Sequence, residues 1–206
     1  MTKFNQNKNS KEQNDQNRNR KEEKDSRSKK WALKLSILGD PAVGKTSLID
    51  KYITGTFKTN YQPTLGVNIL IKDIKIEEEN SIIRLLLWDL AGQAKYELTR
   101  NMFFQGSAGS LLVYDLTRSS TFESISSKWL EDFKKYAKPD GVYILIGNKL
   151  DLKDLIQVSS GEGKKLSQEI KAVDFIETSA KDGENVEDAF RKLVSHILNK
   201  NRNKLE

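Results

Sequence analysis

The run Gly39-Asp40-Pro41-Ala42-Val43-Gly44-Lys45-Thr46-Ser47 follows directly on the apolar stretch Leu33-Lys34-Leu35-Ser36-Ile37-Leu38. Gly39 and Gly44 free the backbone between them to turn its N–H groups toward an anion. The helix expected from Thr46 onward would point its positive end at the same place. Lys45 can reach the β- and γ-phosphates of a nucleotide, and the Thr46 hydroxyl can ligate Mg²⁺. The plain alternative is a glycine turn beside a surface lysine. The order strand, loop, helix favours the phosphate cradle, with Gly39, Ala42, Val43, Gly44, Lys45, Thr46 and Ser47 as its residues. By itself this loop does not choose between ATP and GTP.

Three later apolar runs also end in loops with chemistry in them. After 81–88 comes Asp89-Leu90-Ala91-Gly92-Gln93. An Asp at the end of a buried strand can hold Mg²⁺ through water, and Gly92 can offer an unobstructed N–H to a γ-phosphate. After 142–146 comes Gly147-Asn148-Lys149-Leu150-Asp151. A base with an N1–H and a 2-amino group presents two adjacent donors, and the Asp151 carboxylate can accept both. Adenine lacks that pair, and a site whose buried polar groups go unpaired rejects the wrong base strongly. After the last short apolar run comes Glu177-Thr178-Ser179-Ala180-Lys181, which can give a backbone N–H, best from Ala180, to the guanine 6-oxygen. Taken singly, each loop has a plain reading: a helix cap at Asp89, and ordinary turns at Gly92, Asn148 and Ser179. Together with the first loop they do not.

The elements that must carry these loops are legible from periodicity. A strand is expected over 31–38 and a helix from Thr46 to about Thr54, ending near Gly55. Alternation over 67–76 and 81–89 around the polar turn 77–80 predicts a β-hairpin. Residues 90–105 read as irregular or weakly helical. The continuous apolar runs 110–114 and 142–146 are strands buried on both faces. Trp129, Phe133 and Tyr136 mark a helix, 160–170 a second, and Val186, Phe190, Leu193 and Ile197 the stripe of a last one. Residues 173–178 form a short strand between them. This order implies an α/β fold, with a mostly parallel six-stranded sheet, one antiparallel edge strand and helices on both faces. In such sheets ligands sit at the carboxyl ends of the strands.

Composition bounds the function further. The chain has 206 residues, and its net charge of +6 is concentrated in residues 1–30, which carry ten Lys or Arg and five Asp or Glu. That segment has only Met1 and Phe4 as apolar side chains, so it is expected to be a disordered basic tail. The remainder is near neutral, which argues against nucleic-acid binding through bulk charge. There is no cysteine, which excludes disulfides, zinc–thiolate sites, prenylation and palmitoylation. Residue 2 is Thr, not the Gly needed for myristoylation. No apolar run approaches the ~20 residues of a membrane span. A cytoplasmic monomer is expected, with weak peripheral contact to anionic lipid through the tail as an option less favoured than a solvated tail. His196, the only histidine, lies on the last helix away from the loops and is given no catalytic role.

The four loops, in this order and with these gaps, resemble the P-loop small GTPases of the Ras superfamily over about 31–199, leaving a short tail at 200–206. Tyr61-Gln62-Pro63-Thr64-Leu65-Gly66-Val67, Trp88-Asp89-Leu90-Ala91-Gly92-Gln93 and Val113-Tyr114-Asp115 are most similar to the Rab branch. The resemblance implies GTP and GDP as ligands with Mg²⁺, and slow hydrolysis of GTP in which Lys45, Thr64 and Gln93 take part. Thr64 would be a Mg²⁺ ligand with Thr46 and Asp89, and would contact the γ-phosphate. Tyr61 would fold over the phosphates, and Gln93 would orient the attacking water. Phe57 and the stem of Lys149 would flank the guanine. Asn148 would pin the phosphate loop to the base loop, with Asp151, Ser179, Ala180 and Lys181 completing the base site. Segments 57–67 and 91–102 would respond to the γ-phosphate, so that effectors bind one state only.

Three departures stand out. Pro41 occupies a position where many members have Gly, removing an N–H and crowding the point where a partner's Arg would enter. Ala94 and Lys95 follow Gln93 where Glu is common, which puts an ordinary partner-driven exchange step in doubt. The C-terminus lacks the cysteines that Rab-like members usually lipidate. No Arg sits at an evident in-cis finger position, so an activating partner is expected, along with an exchange factor. The competing readings are a non-hydrolysing GTP-binding scaffold of the same fold, a GTPase of RNA assembly, and an ATPase. Gln93, the near-neutral body and Asp151 weigh against them in turn.

Overall fold

The computed structural model describes residues 29–57, 64, 66–76, 81–90 and 102–202. Residues 1–28 of the expected basic tail, the turn 77–80, residues 91–101, the last residues 203–206, Tyr61, Gly92 and Gln93 lie outside the described residues, while Lys29 and Lys30, expected in the tail, belong to the first strand. In chain order the elements are β1 (Lys29–Leu38), α1 (Lys45–Thr54), β2 (Val67–Ile76), β3 (Ser81–Leu90) and β4 (Gly109–Asp115). Then come α2 (Ser119–Ser124), a π-helical turn (Ile125–Trp129), α3 (Leu130–Tyr136), β5 (Val142–Asn148) and a short 3₁₀ turn (Lys153–Leu155). The chain closes with α4 (Ser160–Glu169), β6 (Phe175–Thr178) and α5 (Val186–Arg202).

The described chain forms two compact units. The smaller is Asp73–Arg84 with the start of β1 as far as Ala32. Within it the Arg84 guanidinium makes two parallel bonds of 2.8 Å to the Asp73 carboxylate. The larger is Leu33–Lys72 with Leu85 onward, and it holds the candidate site.

The sheet runs β2-β3-β1-β4-β5-β6, with one antiparallel strand and the rest parallel. Parallel pairing matters for the site because it aligns strand ends. The register sets Leu38 against Leu112, Asp115 against Asn148, and Asn148 against Thr178. With strands about 4.8 Å apart, Asp115, Asn148 and Thr178 form one row at the carboxyl edge.

Period-two alternation along β4 and β5 sends side chains to two covered faces. On one face Leu38, Leu112, Tyr114 and Leu145 pack with Ile125, Trp129, Phe133, Leu166 and Ile170 from the helices between β4 and β6. On the other, α5 packs on β4 and β5, and α1 packs on α5. The Tyr52 and Phe190 rings seal that contact, stacked at 4.0 Å and 9°.

Two elements differ from the sequence expectation. Trp129, Phe133 and Tyr136 lie on one helical stretch as expected, but Trp129 closes a π turn continuous with α2 before and α3 after. The stretch 119–128 is too rich in Ser and Thr to show an apolar stripe. β6 starts at Phe175 rather than at 173: Val173 and Asp174 still exchange backbone bonds with Tyr143 and Leu145, while the Asp174 carboxylate accepts the Phe175 N–H at 2.7 Å and the Lys192 ammonium at 2.9 Å. α4 begins where expected, on a reciprocal capping box between Ser159 and Glu162.

Phe190 is essentially fully buried. Phe190→Ala should therefore lower stability by about 3–5 kcal/mol, measured as a shift of the urea unfolding midpoint at unchanged slope.

Candidate nucleotide site

The phosphate loop joins β1 to α1, and two of its positions admit only glycine. Gly39 has φ 151°, and a Cβ there would collide with the Val113 carbonyl. Gly44 has φ 99°, and a Cβ there would collide with the Asn148 side-chain amide. Ala42 takes φ 61°, a left-handed conformation costly for a residue with a side chain. α1 has no acidic residue in its first turn and no side-chain cap at Gly44, so its N-terminal N–H groups are left to the loop. Lys45 is buried, and its ammonium donates to the carbonyls of Gly39 at 2.9 Å and Asp40 at 2.7 Å. Val43 is buried, while Ser47 is half-buried on the first turn of α1.

Beside the loop lies a cluster of hydroxyls and one carboxylate. The Thr46 hydroxyl donates to Asp89 Oδ2 at 2.5 Å and lies 2.9 Å from the Thr64 hydroxyl, which is itself 3.4 Å from Asp89 Oδ2. Asp89 is wholly buried at the end of β3, and its Oδ1 has no hydrogen-bond partner among the described residues. Burial pushes this carboxyl above its usual range, against the pull of the Thr46 bond and the Lys45 charge. The carboxylate thus has one oxygen, Oδ2, beside two hydroxyls and the other, Oδ1, without a donor, and carboxylate and hydroxyl oxygens together suit a hard divalent cation. The cluster therefore fits Mg²⁺, with Thr46, Thr64 and Asp89 as its protein side.

The base side is organised by one buried amide. Asn148 Nδ2 donates to the Val43 carbonyl at 2.8 Å, and its Oδ1 accepts from the Thr178 hydroxyl at 3.1 Å and the Ala180 N–H at 3.2 Å. The phosphate loop, the β5 loop and the β6 loop thus meet at a single side chain. Asp151, whose side chain is only 10 % exposed, accepts from the Ser179 hydroxyl at 2.9 Å and lies 3.9 Å from the Lys181 ammonium. Ser179 also takes the Asp182 N–H at 3.0 Å, so it fixes the Asp151 carboxylate from behind. Phe57 stands partly exposed at the end of its segment. The structure brings together Gly39, Ala42, Val43, Gly44, Lys45, Thr46, Thr64, Asp89, Asn148, Lys149, Asp151, Ser179, Ala180 and Lys181.

Sequence reasoning gave no role to Asp115, yet its carboxylate is a second organising centre. Oδ2 pairs with the Lys149 ammonium at 2.7 Å and the Arg118 guanidinium at 2.8 Å, while Oδ1 accepts the Thr117 N–H and hydroxyl at 3.0 and 2.7 Å. Lys149 adopts φ 75°, and its ammonium is fixed by this ion pair. Arg118 also donates to the Pro41 carbonyl at 3.0 Å, so a cation from after β4 does reach the phosphate loop. The available signal was positional: Asp115 ends an apolar strand, as Asp89 does.

Burial alone would raise the Asp115 carboxyl, but the Lys149, Thr117 and Arg118 bonds outweigh it and hold it below the ordinary carboxylate range. A depressed folded-state value stabilises the fold above the unfolded value near 3.9 and loses that contribution as pH falls through the folded value. Asp115→Asn should cost about 1–3 kcal/mol at pH 7, read by urea unfolding. The gap between variant and wild type should narrow progressively below pH 4.

The sequence matches the Ras family over residues 34–199. It is 36 % identical over 167 residues to the Ras-related protein Rab11E of Lotus japonicus, covering 81 % of this chain and 75 % of that one. It is 37 % identical over 174 residues to the Ras-related protein Rab-12 of Mus musculus, covering 84 % and 70 %. Against the Ras-related protein RABA1b of Arabidopsis thaliana it is 34 % identical over 167 residues, covering 81 % and 76 %. The family match spans the phosphate loop, the cation cluster and both base loops, and the chain belongs to the Ras family as a Rab-like small GTPase.

Proposed function

We propose that the protein is a guanine-nucleotide switch that binds GTP and GDP with Mg²⁺ and hydrolyses GTP slowly. The observation that carries this is the meeting of the phosphate and base loops at Asn148, with the Asp89 cluster beside the phosphate loop. The Asp151 carboxylate, held by Ser179, would accept the N1–H and 2-amino group of guanine. Lys45 would exchange its carbonyl partners for phosphate oxygens. Thr46, Thr64 and Asp89 would hold Mg²⁺, which when bound neutralises charge on the phosphates. Thr64 would also sense the γ-phosphate.

Hydrolysis is attack of water on the γ-phosphorus, with the bond to the β–γ bridging oxygen breaking to give GDP and phosphate. Gln93 would orient that water. Arg118 is engaged by Asp115 and the Pro41 carbonyl rather than offered to the phosphates. The unassisted rate should therefore be of the order of 10⁻⁴ s⁻¹, the value known for unassisted members of this family. Activating and exchange partners would set the cycle, and effectors would read the GTP state. Pro41 would narrow the entry for a partner's arginine, so stimulation by such a partner should be weak. Among the described residues no helix is long and apolar enough to span a bilayer.

Purified protein loaded with γ-labelled GTP and Mg²⁺, followed through one turnover, tests the reading. Phosphate should be released slowly from GTP and not from ATP, and Gln93→Leu should lower the rate at least about tenfold. Tight GTP binding without phosphate release would instead make the protein a scaffold that only holds its nucleotide.

A further inference from the structure

Pro41 removes a donor from the middle of the phosphate loop, and the residues around it are gripped from outside. The Arg118 Nη2 donates to the Pro41 carbonyl at 3.0 Å. The Trp129 indole N–H donates to the Asp40 carboxylate at 2.9 Å. Both donors belong to one stretch of chain, since Arg118 caps α2 and Trp129 ends the π turn that follows it. Neither donor is loosely held. The Arg118 Nε is bonded to the buried Asp115 carboxylate at 2.8 Å, and its carbonyl accepts the Thr121 hydroxyl at 2.8 Å. Trp129 is 1 % exposed within the core.

A trans peptide is planar, with its carbonyl and its N–H pointing opposite ways. Holding the Pro41 carbonyl outward on Arg118 therefore aims the N–H of Ala42 the other way, into the loop. The left-handed φ of 61° at Ala42 shows that this peptide is not in the orientation an alanine chooses by itself. Pro41 supplies no N–H, so the Ala42 N–H is the donor this part of the loop has left.

We infer that Arg118 is a positioning residue that holds the Pro41–Ala42 peptide so that the Ala42 N–H faces the phosphates beyond the α-phosphate of a bound nucleotide. Asp115 orients Arg118, and the Trp129–Asp40 bond braces the preceding residue. The inference rests on the nucleotide reading given above. Arg118 does not touch the nucleotide, and its effect is confined to ligands long enough to meet the Ala42 N–H. A role in fold stability alone would weaken every nucleotide alike.

The test compares GDP with GMP in wild type, Arg118→Ala and Arg118→Lys, by competition against a fluorescent GDP. Arg118→Ala should weaken GDP about tenfold and leave GMP within twofold. Arg118→Lys, which keeps a donor and the charge facing Asp115, should recover most of the GDP affinity. A second readout needs no intact affinity: the Ala42 amide resonance should shift downfield on adding GDP to wild type and much less in Arg118→Ala. Equal losses for GDP and GMP, no loss for either, or an unaltered Ala42 shift in the variant would overturn the inference. Wild type that binds no GDP at all would overturn the nucleotide reading itself, a different result from wild-type binding with unaffected variants.

Discussion

The Asn148 amide is the interaction on which the rest of the site depends. It is buried, it ends β5, and its three hydrogen bonds reach the phosphate loop, the end of β6 and the loop beyond. A side-chain amide is suited to this because it donates and accepts from one rigid plane. The glycine at 44 follows from the same contact, since any larger residue would occupy the space of the amide nitrogen. Parallel pairing then does the remaining placement. By setting Asp115, Asn148 and Thr178 in one row, the sheet delivers every loop to the same edge without long-range guidance from the loops themselves.

A second row of polar contacts runs alongside. Asp115 collects Lys149 from the base loop and Arg118, which passes on to the phosphate loop. Asn148 and Asp115 thus tie the same two loops from two adjacent strands. The buried polar groups in both networks are satisfied by one another, which is the condition for such a network to rigidify rather than weaken a fold. Asp89 stands apart from both networks, and its Oδ1 finds no donor among the described residues. In the proposed function that oxygen is where a cation would be held.

Much of this architecture was legible in the sequence, for identifiable reasons. The strands ending at Asp115 and Asn148 are continuous apolar runs, the pattern of a sheet covered on both faces, and the strand ending at Leu38 alternates. The phosphate loop declared itself through the spacing of Gly39, Gly44 and Lys45. The π turn at 125–129 did not, because the Ser-rich stretch around it shows no apolar period. The regular part of β6 starts two residues later than the apolar run suggests, although Val173 and Asp174 still exchange backbone bonds with β5. Asp115 and Arg118 were missed as site residues because their roles arise from tertiary juxtaposition, with Pro41 lying 77 residues before Arg118 in the chain. Pro41 was noticed for what it removes, and only the structure shows what holds its carbonyl.

The proposed function depends on guanine recognition at Asp151, on loops that Asn148 holds together. Calorimetric titration of nucleotide-free protein with GDP and with ADP, each in the presence of Mg²⁺, addresses it most directly. A site built on paired buried polar groups should prefer GDP by about 10⁴-fold or more. Comparable affinity for the two nucleotides, or no binding of GDP, would contradict it.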